Sequence, residues 1–579
     1  MNSKPQYKSE AVVLYERGNE MPHIPRFMSP EGNGGWRTTT WGDFLKNSSA
    51  LALYMKSLGA GPGVKVSIFA KNRIEWTFSL MAIHACRGIF VPVYHSNTPA
   101  EAEFIINHSD AQLLITENDM LPVVLQILPG IPGVKHIIVM GTFGDALKIL
   151  EPVRSQVPES YKEFESKSVF FEDALSEGCA ILNSKQDGFK KLALEVNLDD
   201  VATILYTSGT TGRPKGVVLT HENLYRNAAD WVDVLGVLIP KQRVDLLWLP
   251  MSHIFGWGEY GLGNTLGFTT YLTTPWEVLK IMPEVKPTVF MSVPAYWEKL
   301  YLDSKNTSSD INSQIDKLHE LTGGKLSFCL SGGAGLKIEA KEFFLKAGML
   351  IIEGYGLTEC SPTLTMNRRD DFDFNSVGKP FPHVELKLAE DGEILAKGPN
   401  IFAQYYKDPE ATSEAFTVDG WFKTGDLGVF NERGFLKIKG RKKEIIVTSG
   451  GKNISPQLIE AMFKDDPFIE HIVLYGDERK YLTALVTLKE EAVKSYANTI
   501  GIHFSGFDEL TKHAAIDEIV RKSIDNVNEN LASFETIKKF YIHSGHLTVS
   551  DGFLTPSLKL KRKRVIDTFS KLLDMLYEQ

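Results

Sequence analysis

Short apolar runs alternate with amphipathic stretches through most of the chain, and this alternation constrains the fold more than any other feature. The amphipathic stretches 41–58 and 98–108 predict helices. The apolar runs predict largely buried strands at 64–70, 89–94, 112–116 and 136–140, and again at 201–206, 245–250, 287–293 and 349–353. Buried strands separated by helices are typical of α/β layers built on a largely parallel sheet.

Two regions depart from this pattern. Residues 142–197 are more polar and less periodic, which predicts surface loops with one or two helices. Beyond Gly378, glycine-containing turns separate short strands and predict a small β-rich region. These turns lie at 391–392, 419–420 and 433–434.

The last part of the chain is long enough for a domain of its own. We place the boundary at Arg441, so that residues 1–440 form a large N-terminal domain of layered α/β subdomains that ends with the β-rich region. Residues 441–579 are predicted to form a small α+β C-terminal domain. Within it, Ser455 followed by Pro456 predicts a helix start, because serine is a good N-cap and proline is tolerated at the first helical position.

Charge, cysteine spacing and hydropathy disfavour several classes of protein. The formal net charge of −9 argues against a nucleic-acid partner. The four cysteines include no C-x-x-C pair, so neither a zinc site nor a redox motif is predicted. Residues 1–10 lack the apolar stretch of a secretory signal, and no run of about 18 apolar residues occurs, so we expect a cytoplasmic protein. Peripheral contact with the inner face of a membrane and a homodimer both stay open.

The strongest local signal is the segment 206–216, Tyr-Thr-Ser-Gly-Thr-Thr-Gly-Arg-Pro-Lys-Gly. It places three glycines, four serine or threonine hydroxyls and one lysine after a predicted strand. Glycines let backbone N–H groups approach an anion, hydroxyls add donors, and lysine supplies positive charge, which together predict a polyphosphate cradle. The segment is not a Walker A loop, because Pro214 precedes the lysine and a second strand, 217–219, follows. The alternative is a glycine-rich hairpin without a ligand.

Two further segments follow apolar runs, and ligands collect outside the carboxyl ends of strands in open α/β sheets. In Gly-Tyr-Gly-Leu-Thr-Glu at 354–359, the ring can stack on a base, the hydroxyl can reach a phosphate and the carboxylate can hold Mg²⁺. The alternative is an ordinary turn with a capping threonine and a solvated glutamate. The small residues at 331–335, Ser-Gly-Gly-Ala-Gly, would let backbone lie against a ligand or simply form a tight turn.

The 206–216 loop resembles the phosphate loop of the acyl-adenylate-forming (AMP-binding) superfamily, and other segments match in the same order as far as residue 559. The upstream segments 36–41 and 91–94 look like those of long-chain fatty-acid–CoA ligases. The resemblance implies an ATP-dependent acid–thiol ligase that activates a fatty acid first as an acyl-adenylate, releasing diphosphate, and then as an acyl-CoA thioester, releasing AMP. It implies ATP, Mg²⁺ and CoA (the last as a substrate) and a mobile C-terminal domain.

The resemblance also assigns roles to matching residues. Lys559, Glu359 and Thr210 are implied to be catalytic, with Glu359 and Thr210 holding Mg²⁺. The implied ATP-binding residues are Thr207, Ser208, Gly209, Thr211, Gly212, Lys215, Gly333, Tyr355, Gly356, Thr358, Asp426 and Arg441. Because Lys561 and Lys563 follow closely, a solvated basic run at 559–564 is the alternative for the lysine assignment.

The implied substrate pocket consists of His253, Trp257, Gly332 and Ala334. Trp257 matches a tryptophan proposed to gate the acyl tunnel of long-chain members. For His253, the alternative is a histidine packed in the interior without contact with a substrate. Lys443 matches the hinge of the family, and Gly450 is assigned to the CoA tunnel. Two other functions stay open: a fatty acyl-AMP ligase that loads a separate acyl carrier protein, and a nucleotide- or acyl-binding protein without catalysis.

Overall fold

The computed structural model describes residues 8–32, 34–184, 188–207, 214–549, 551–555 and 560–578. Mixed α/β layers are followed by a separate C-terminal unit, which confirms the predicted fold class. Within these ranges, no helix combines the length and the apolar character needed to cross a membrane.

The helices are distributed along the whole described chain. They are α1 (Glu10–Glu20), α2 (Trp41–Ser57), α3 (Ile74–Ala85), α4 (Pro99–His108), α5 (Leu121–Ile127), α6 (Phe143–Arg154), α7 (Pro158–Lys167), α8 (Phe171–Ser184), α9 (Gly188–Glu195), α10 (His221–Leu235), α11 (Ile254–Leu266), α12 (Val278–Val285), α13 (Pro294–Lys305), α14 (Ile311–Thr322), α15 (Ile338–Lys346), α16 (Pro409–Ala415), α17 (Pro456–Glu460), α18 (Glu490–Thr499), α19 (Phe507–Leu510), α20 (Ala514–Asn528) and α21 (Arg562–Glu578).

The strands are mostly short. They are β1 (Pro25–Pro30), β2 (Trp36–Thr40), β3 (Lys65–Phe69), β4 (Ile89–Val93), β5 (Ala111–Glu117), β6 (His136–Met140), β7 (Ser168–Phe170), β8 (Val201–Thr207), β9 (Lys215–Thr220), β10 (Val244–Leu247), β11 (Thr269–Leu272), β12 (Val289–Ser292), β13 (Phe328–Ser331), β14 (Ile351–Gly356), β15 (Thr363–Met366), β16 (Lys379–Pro380), β17 (Glu385–Leu388), β18 (Glu393–Lys397), β19 (Gln404–Tyr405), β20 (Phe422–Phe430), β21 (Leu436–Arg441), β22 (Ile446–Val447), β23 (Asn453–Ile454), β24 (Ile469–Tyr475), β25 (Leu482–Leu488) and β26 (Ile537–His543).

Two large sheets organise the N-terminal part of the protein. One has nine strands in the order β16-β15-β14-β13-β12-β10-β11-β1-β2, and the other has eight in the order β19-β9-β8-β4-β3-β5-β6-β7. The inner strands of both sheets are parallel. Antiparallel pairs lie toward the edges, for example β2 on β1 and β9 on β8. The predicted buried strands and their parallel arrangement are therefore confirmed.

Helices α3 and α11 lie between the two sheets and join them through aromatic contacts. On α11, the Trp257 ring meets that of Phe90 in β4 with centroids 5.5 Å apart, and Tyr260 stacks on Phe27 of β1 at 6.1 Å. Trp76 of α3 contacts both Phe90 and Tyr260. All five rings are buried. Because large aromatic surfaces contribute strongly to core packing, these contacts hold the two sheets in a fixed relation.

Several helices begin at residues that satisfy free N–H groups. Thr40, Thr98 and Thr220 each form a capping box at the start of α2, α4 and α10, respectively. Helix α17 begins at Pro456, as predicted. The expectation that the Ser455 side chain caps this helix is wrong, because it forms no cap hydrogen bond.

The region 142–197 is more regular than predicted. Instead of loops with one or two helices, it forms the four helices α6 to α9 and strand β7. The buried face of each helix is narrow; in α6 it consists of Ala146 and Leu150, and in α8 it includes Phe171 and Ala174. Wide exposed faces give this region the polar composition of loops, which is why its apolar helical stripe was missed.

The β-rich region and the C-terminal unit follow as predicted. Strands β17, β18, β20 and β21 form an antiparallel sheet of four strands. Beyond it, β24, β25 and β26 form a three-stranded sheet. One face of this sheet packs on a cluster that includes Val493, Ile516 and Val520, and the other packs on Val565 and Phe569 of the last helix and its neighbours. A hydrophobic core of its own is what defines a separate domain.

A buried ion pair joins helix α15 to strand β14. Lys341 is 3% exposed and Glu353 is 5% exposed. The Lys341 ammonium contacts one carboxylate oxygen of Glu353 and donates to the Phe374 carbonyl at 2.5 Å. The other carboxylate oxygen accepts the backbone N–H of Leu336 at 2.7 Å. Because Leu336 directly follows the segment 331–335, this pair fixes the position of that segment against β14.

We expect Lys341→Met to lower the free energy of unfolding by about 3–5 kcal/mol, because it leaves Glu353 as an uncompensated buried charge. Urea titration followed by circular dichroism measures this change. The double variant Lys341→Met/Glu353→Gln serves as the control and should lose less stability, since an amide is less costly to bury than a carboxylate. Unchanged stability of the single variant would contradict a structural role for the pair.

Candidate active site

A large cavity opens at the carboxyl ends of strands from both sheets. Its volume is about 1850 Å³, and its walls include the ends of β8, β13 and β14 and the start of α11. Residues of the C-terminal domain also line it, among them Lys561 and Arg564. The carboxyl edge of parallel strands is the position at which open α/β folds bind ligands.

Most of the predicted site residues that the structure describes lie on the wall of this cavity. They are Thr207, Lys215, His253, Gly332, Gly333, Tyr355, Gly356, Thr358, Glu359, Arg441 and Lys443. They come from motifs that are far apart in the sequence. The fold therefore brings the separate sequence signals to one space.

Four described candidates are not on the wall. Asp426 is buried and contacts two wall residues, Tyr355 and Arg441. Trp257 is 3% exposed and packs in the core one helical turn beyond His253. Ala334 and Gly450 are exposed at the surface.

Six other candidates lie outside the described residues: Ser208, Gly209, Thr210, Thr211, Gly212 and Lys559. The strands on either side of the 206–216 loop are described, and they form the antiparallel pair β8–β9 with Thr207 opposite Lys215. This confirms that the loop connects two strands, unlike a Walker A loop, which opens a helix.

Tyr355, Asp426 and Arg441 form a hydrogen-bonded network at the cavity wall. The Tyr355 hydroxyl donates to Asp426 Oδ2 at 2.6 Å, and Arg441 Nε lies 2.9 Å from Asp426 Oδ1. Asp426 and Arg441 are direct neighbours across β20 and β21. Burial, followed by the nearby charge of Asp426, raises the pKa of Tyr355 well above its usual value, so its phenol remains a donor.

Glu359 occupies a short 3₁₀ turn, Thr358–Cys360, directly after β14. Its Oε1 accepts the hydroxyl of Tyr405 at 2.9 Å, and its backbone carbonyl accepts the N–H of Phe402 at 2.8 Å. Lys215 Nζ lies 5.1 Å from the centre of the Tyr405 ring, a cation–π distance. Burial and then Glu359 raise the pKa of Tyr405, so that it donates to the carboxylate. A carboxylate and an ammonium group thus face the cavity around one tyrosine.

His253 is the N-cap residue of α11, and its position on the wall is set by that role. Its Nδ1 accepts the backbone N–H of Phe255 at 3.1 Å, so in the neutral ring the proton is on Nε2. The Phe255 ring covers Gly332, where an added Cβ would lie 3.1 Å from the ring. A side chain at position 332 would therefore narrow the space between α11 and β13.

Sequence reasoning missed several wall residues, and three of them show why. Phe255 lies between two predicted pocket residues and could have been included on that ground. Tyr405 belongs to a strand of two residues, and its partner Glu359 is 46 positions away, so no local pattern marks it. Glu101 has a clear local signal as part of a capping box, but that signal does not indicate that it also faces a cavity.

With this geometry established, comparison with known proteins identifies the class of the chain. Residues 14–406 match the family model of AMP-binding enzymes, and residues 443–579 match the model of the AMP-binding enzyme C-terminal domain. The chain belongs to the AMP-binding enzyme family.

Curated relatives match over nearly the full length. The chain is 32% identical to the long-chain-fatty-acid–CoA ligase FadD15 of Mycobacterium bovis, across 99% of this chain and 98% of that protein. It is 30% identical to the peroxisomal long chain acyl-CoA synthetase 6 of Arabidopsis thaliana, across 94% of this chain and 82% of that protein. Long-chain-fatty-acid–CoA ligase 5 of Mus musculus is 28% identical over 99% of this chain and 89% of its own length.

Solved structures share the fold at lower identity. The A-PCP didomain of a carboxylic acid reductase from Segniliparus rugosus, in complex with AMP, matches with a TM-score of 0.80 and 20% identity, over 99% of this chain and 82% of that one. ATP-bound MatB from Rhodopseudomonas palustris matches with a TM-score of 0.73 and 21% identity, over 98% of this chain and all of that one.

The packing of the Glu359 turn can be tested with thiol reagents. Cys86, Cys329 and Cys360 are buried, and burial raises the pKa of each thiol, to about 12 for Cys86 and Cys329. Cys179 is half-exposed. Because reaction needs an accessible thiolate, we expect a maleimide to label Cys179 first and the other three only on unfolding. Mass spectrometry locates the label, and Cys179→Ser is the control. Rapid labelling of Cys360 in the folded protein would contradict the described turn.

Proposed function

We propose that the protein is a long-chain fatty-acid–CoA ligase that converts ATP, a fatty acid and CoA to acyl-CoA, AMP and diphosphate through an acyl-adenylate. The observation that carries this proposal is the convergence of the matching motifs on one cavity in a chain that aligns with long-chain ligases over 99% of its length. The cavity is large enough for a nucleotide and a second substrate together, since ligand pockets commonly measure about 300–1,000 Å³.

The nucleotide is assigned to the side of the cavity formed by β14, β20 and β21. Tyr355 would stack on the adenine, and Asp426 would accept the ribose hydroxyls, because a carboxylate offers about four acceptor positions. Arg441, held by Asp426, would reach the ribose or a phosphate. Thr207 and Lys215, together with the loop residues Ser208 to Gly212 outside the described part, would surround the polyphosphate, while Gly333, Gly356 and Thr358 complete the nucleotide site.

Mg²⁺ fits the donors on this wall. Magnesium is usually held by one or two carboxylates together with phosphate oxygens and water, so a cage of protein ligands is not needed. The described residues contain no cluster of three or more His, Cys, Asp or Glu suited to a metal, but Glu359 presents a single carboxylate to the cavity. Glu359 and Thr210 would hold the ion, which would neutralise phosphate charge.

The fatty acid is assigned to the side formed by α11 and β13. The Nε2–H of neutral His253 can donate to a carboxylate oxygen of the acid. Gly332 keeps this side open beneath the Phe255 ring. The exposed Ala334 would lie at the entrance to this side. Trp257 is packed against Phe90, so a long acyl chain would displace it to enter the core.

Adenylation brings the acid carboxylate against the α-phosphate, and the main obstacle is repulsion between anions. Lys215 and Arg441 lie on the wall and would lower this repulsion, as would Lys559 from the C-terminal domain. We assign residues 1–440 to the N-terminal domain and 441–579 to the domain that delivers Lys559. Rotation at Lys443 would withdraw that lysine and admit the CoA thiol through a tunnel at Gly450.

The proposed reaction predicts CoA-dependent release of AMP. The purified protein is incubated with ATP, Mg²⁺ and acids from acetate to oleate, and AMP is measured with and without CoA. We expect AMP to require CoA and to form fastest with long acids; a mixture without any acid is the control. Accumulation of acyl-adenylate without CoA turnover would move the acceptor to a carrier protein or another nucleophile. Absence of both AMP and adenylate with every acid would contradict catalysis.

The nucleotide assignment predicts a selective effect of Asp426→Asn. We expect the KM for ATP to rise about tenfold to a hundredfold, because hydrogen bonds to a charged group are worth about 1.5–3 kcal/mol. The KM for the fatty acid should change little. Tyr355→Phe, which keeps the ring and loses only its hydroxyl, is the matched control and should have a smaller effect. An unchanged KM for ATP would remove Asp426 from the nucleotide site.

A further inference from the structure

Glu101, at the start of α4, is held in position by its own helix. Its Oε2 accepts the backbone N–H of Thr98 at 3.0 Å and the side-chain amide of Asn97 at 3.1 Å. The Thr98 hydroxyl completes the capping box by accepting the N–H of Glu101. One carboxylate oxygen is thus committed to the helix start. The other, Oε1, faces the cavity.

The partner of Oε1 comes from the other domain. Lys561 Nζ lies 3.5 Å from Glu101 Oε1, and the two side chains are 27% and 31% exposed. Burial alone would raise the pKa of Glu101, but hydrogen bonds from Asn97 and Thr98 and then the Lys561 charge lower it below its usual value. The capping hydrogen bonds thus orient the carboxylate toward the cavity, and the lowered pKa favours the charged form that pairs with Lys561.

Lys561 lies on a segment that is anchored in its own domain. Its backbone N–H donates to the Phe553 carbonyl at 2.8 Å, and Leu560 forms a bridge with Leu554. The next residue, Arg562, is 6% exposed and contacts Glu460. The backbone of 560–562 is therefore part of the C-terminal domain, while the Lys561 side chain extends to the large domain.

Given the proposed function, we infer that Glu101 is a positioning residue for adenylation: through Lys561 it holds the segment that follows the proposed catalytic lysine against the cavity. Lys561 follows Lys559 by two positions, which is at most about 7 Å of extended chain. A restraint on Lys561 therefore limits the position of Lys559. The thioester-forming step, in which Lys559 is withdrawn, would not need the ion pair.

A second set of contacts between the same two regions provides a comparison. Lys337 forms an ion pair with Asp465, and Lys464 donates to the Gly335 carbonyl at 3.4 Å. These contacts also join the domains, but they lie about 100 positions before Lys561 in the sequence. They can hold the domains together without acting on the 560–562 segment.

The test compares Glu101→Gln and Lys561→Gln in the two half-reactions. Glutamine can replace glutamate at this position of a capping box. Glu101→Gln therefore removes the charge and leaves the helix start intact. Adenylation is measured by fatty-acid-dependent exchange of pyrophosphate into ATP, and transfer by reaction of preformed acyl-adenylate with CoA. We expect each variant to lower exchange about threefold to fivefold, the range of a partly exposed ion pair, without lowering transfer.

The double variant should lose no more exchange activity than either single variant, because the two substitutions remove the same interaction. Lys561→Arg keeps the charge, so its exchange rate should stay within about twofold of that of the unsubstituted protein. Added salt screens the ion pair and should therefore narrow the difference in exchange rate between Glu101→Gln and the unsubstituted protein. Asp465→Asn is the matched control and should lower exchange less than twofold. If Glu101→Gln unfolds at the same midpoint temperature as the unsubstituted protein, general destabilisation is excluded as the cause.

Several results would overturn the positioning role. They are additive losses in the double variant, equal losses in both half-reactions, and an effect of Asp465→Asn as large as that of Glu101→Gln. Complete loss of exchange in Lys561→Gln and Lys561→Arg, with Glu101→Gln unaffected, would instead make Lys561 the reacting lysine. These outcomes leave the proposed function intact, because the unsubstituted protein would still catalyse exchange. Absence of exchange in the unsubstituted protein would overturn both proposals.

Discussion

Aromatic packing of α11 between the two sheets is the constraint on which the site depends. Trp257 contacts one sheet and Tyr260 contacts the other, so this helix fixes how the sheets face each other. In that relation, the carboxyl ends of β8 and β14, which belong to different sheets, meet at one cavity. His253 is the N-cap residue of the same helix, and Phe255 lies in its first turn. Core packing and placement of the α11 side of the cavity are therefore one feature of the molecule.

Polar interactions then complete a site that the apolar core only outlines. The pair Lys341–Glu353 fixes the segment after β13 against β14, and Asp426 joins Tyr355 to Arg441. Each of these links connects elements that are distant in the sequence. A buried charged group is costly without its partner, so the loss of one partner from either link would be destabilising.

Much of the fold was predictable from the sequence, because short apolar runs such as 64–70 and 136–140 have the length and composition of buried strands. The four helices of 142–197 were not predictable in this way, because the buried stripe of each helix is narrow. The motif residues at the cavity were found because each motif is contiguous. Tyr405 could not be found in this way, because its role depends on Glu359, which only the tertiary fold brings near.

The pairing of β20 with β21 extends to Arg441, which lies directly opposite Asp426. Arg441 is thereby fixed to the large domain, although it stands at the start of the C-terminal part of the chain. A turn of the backbone at Lys443 would leave this pairing intact. In the proposed reaction, the β20–β21 side of the cavity would then keep the same cation through both steps, while the residues contributed by the C-terminal domain change. AMP would remain held on a permanent surface until the thioester has formed.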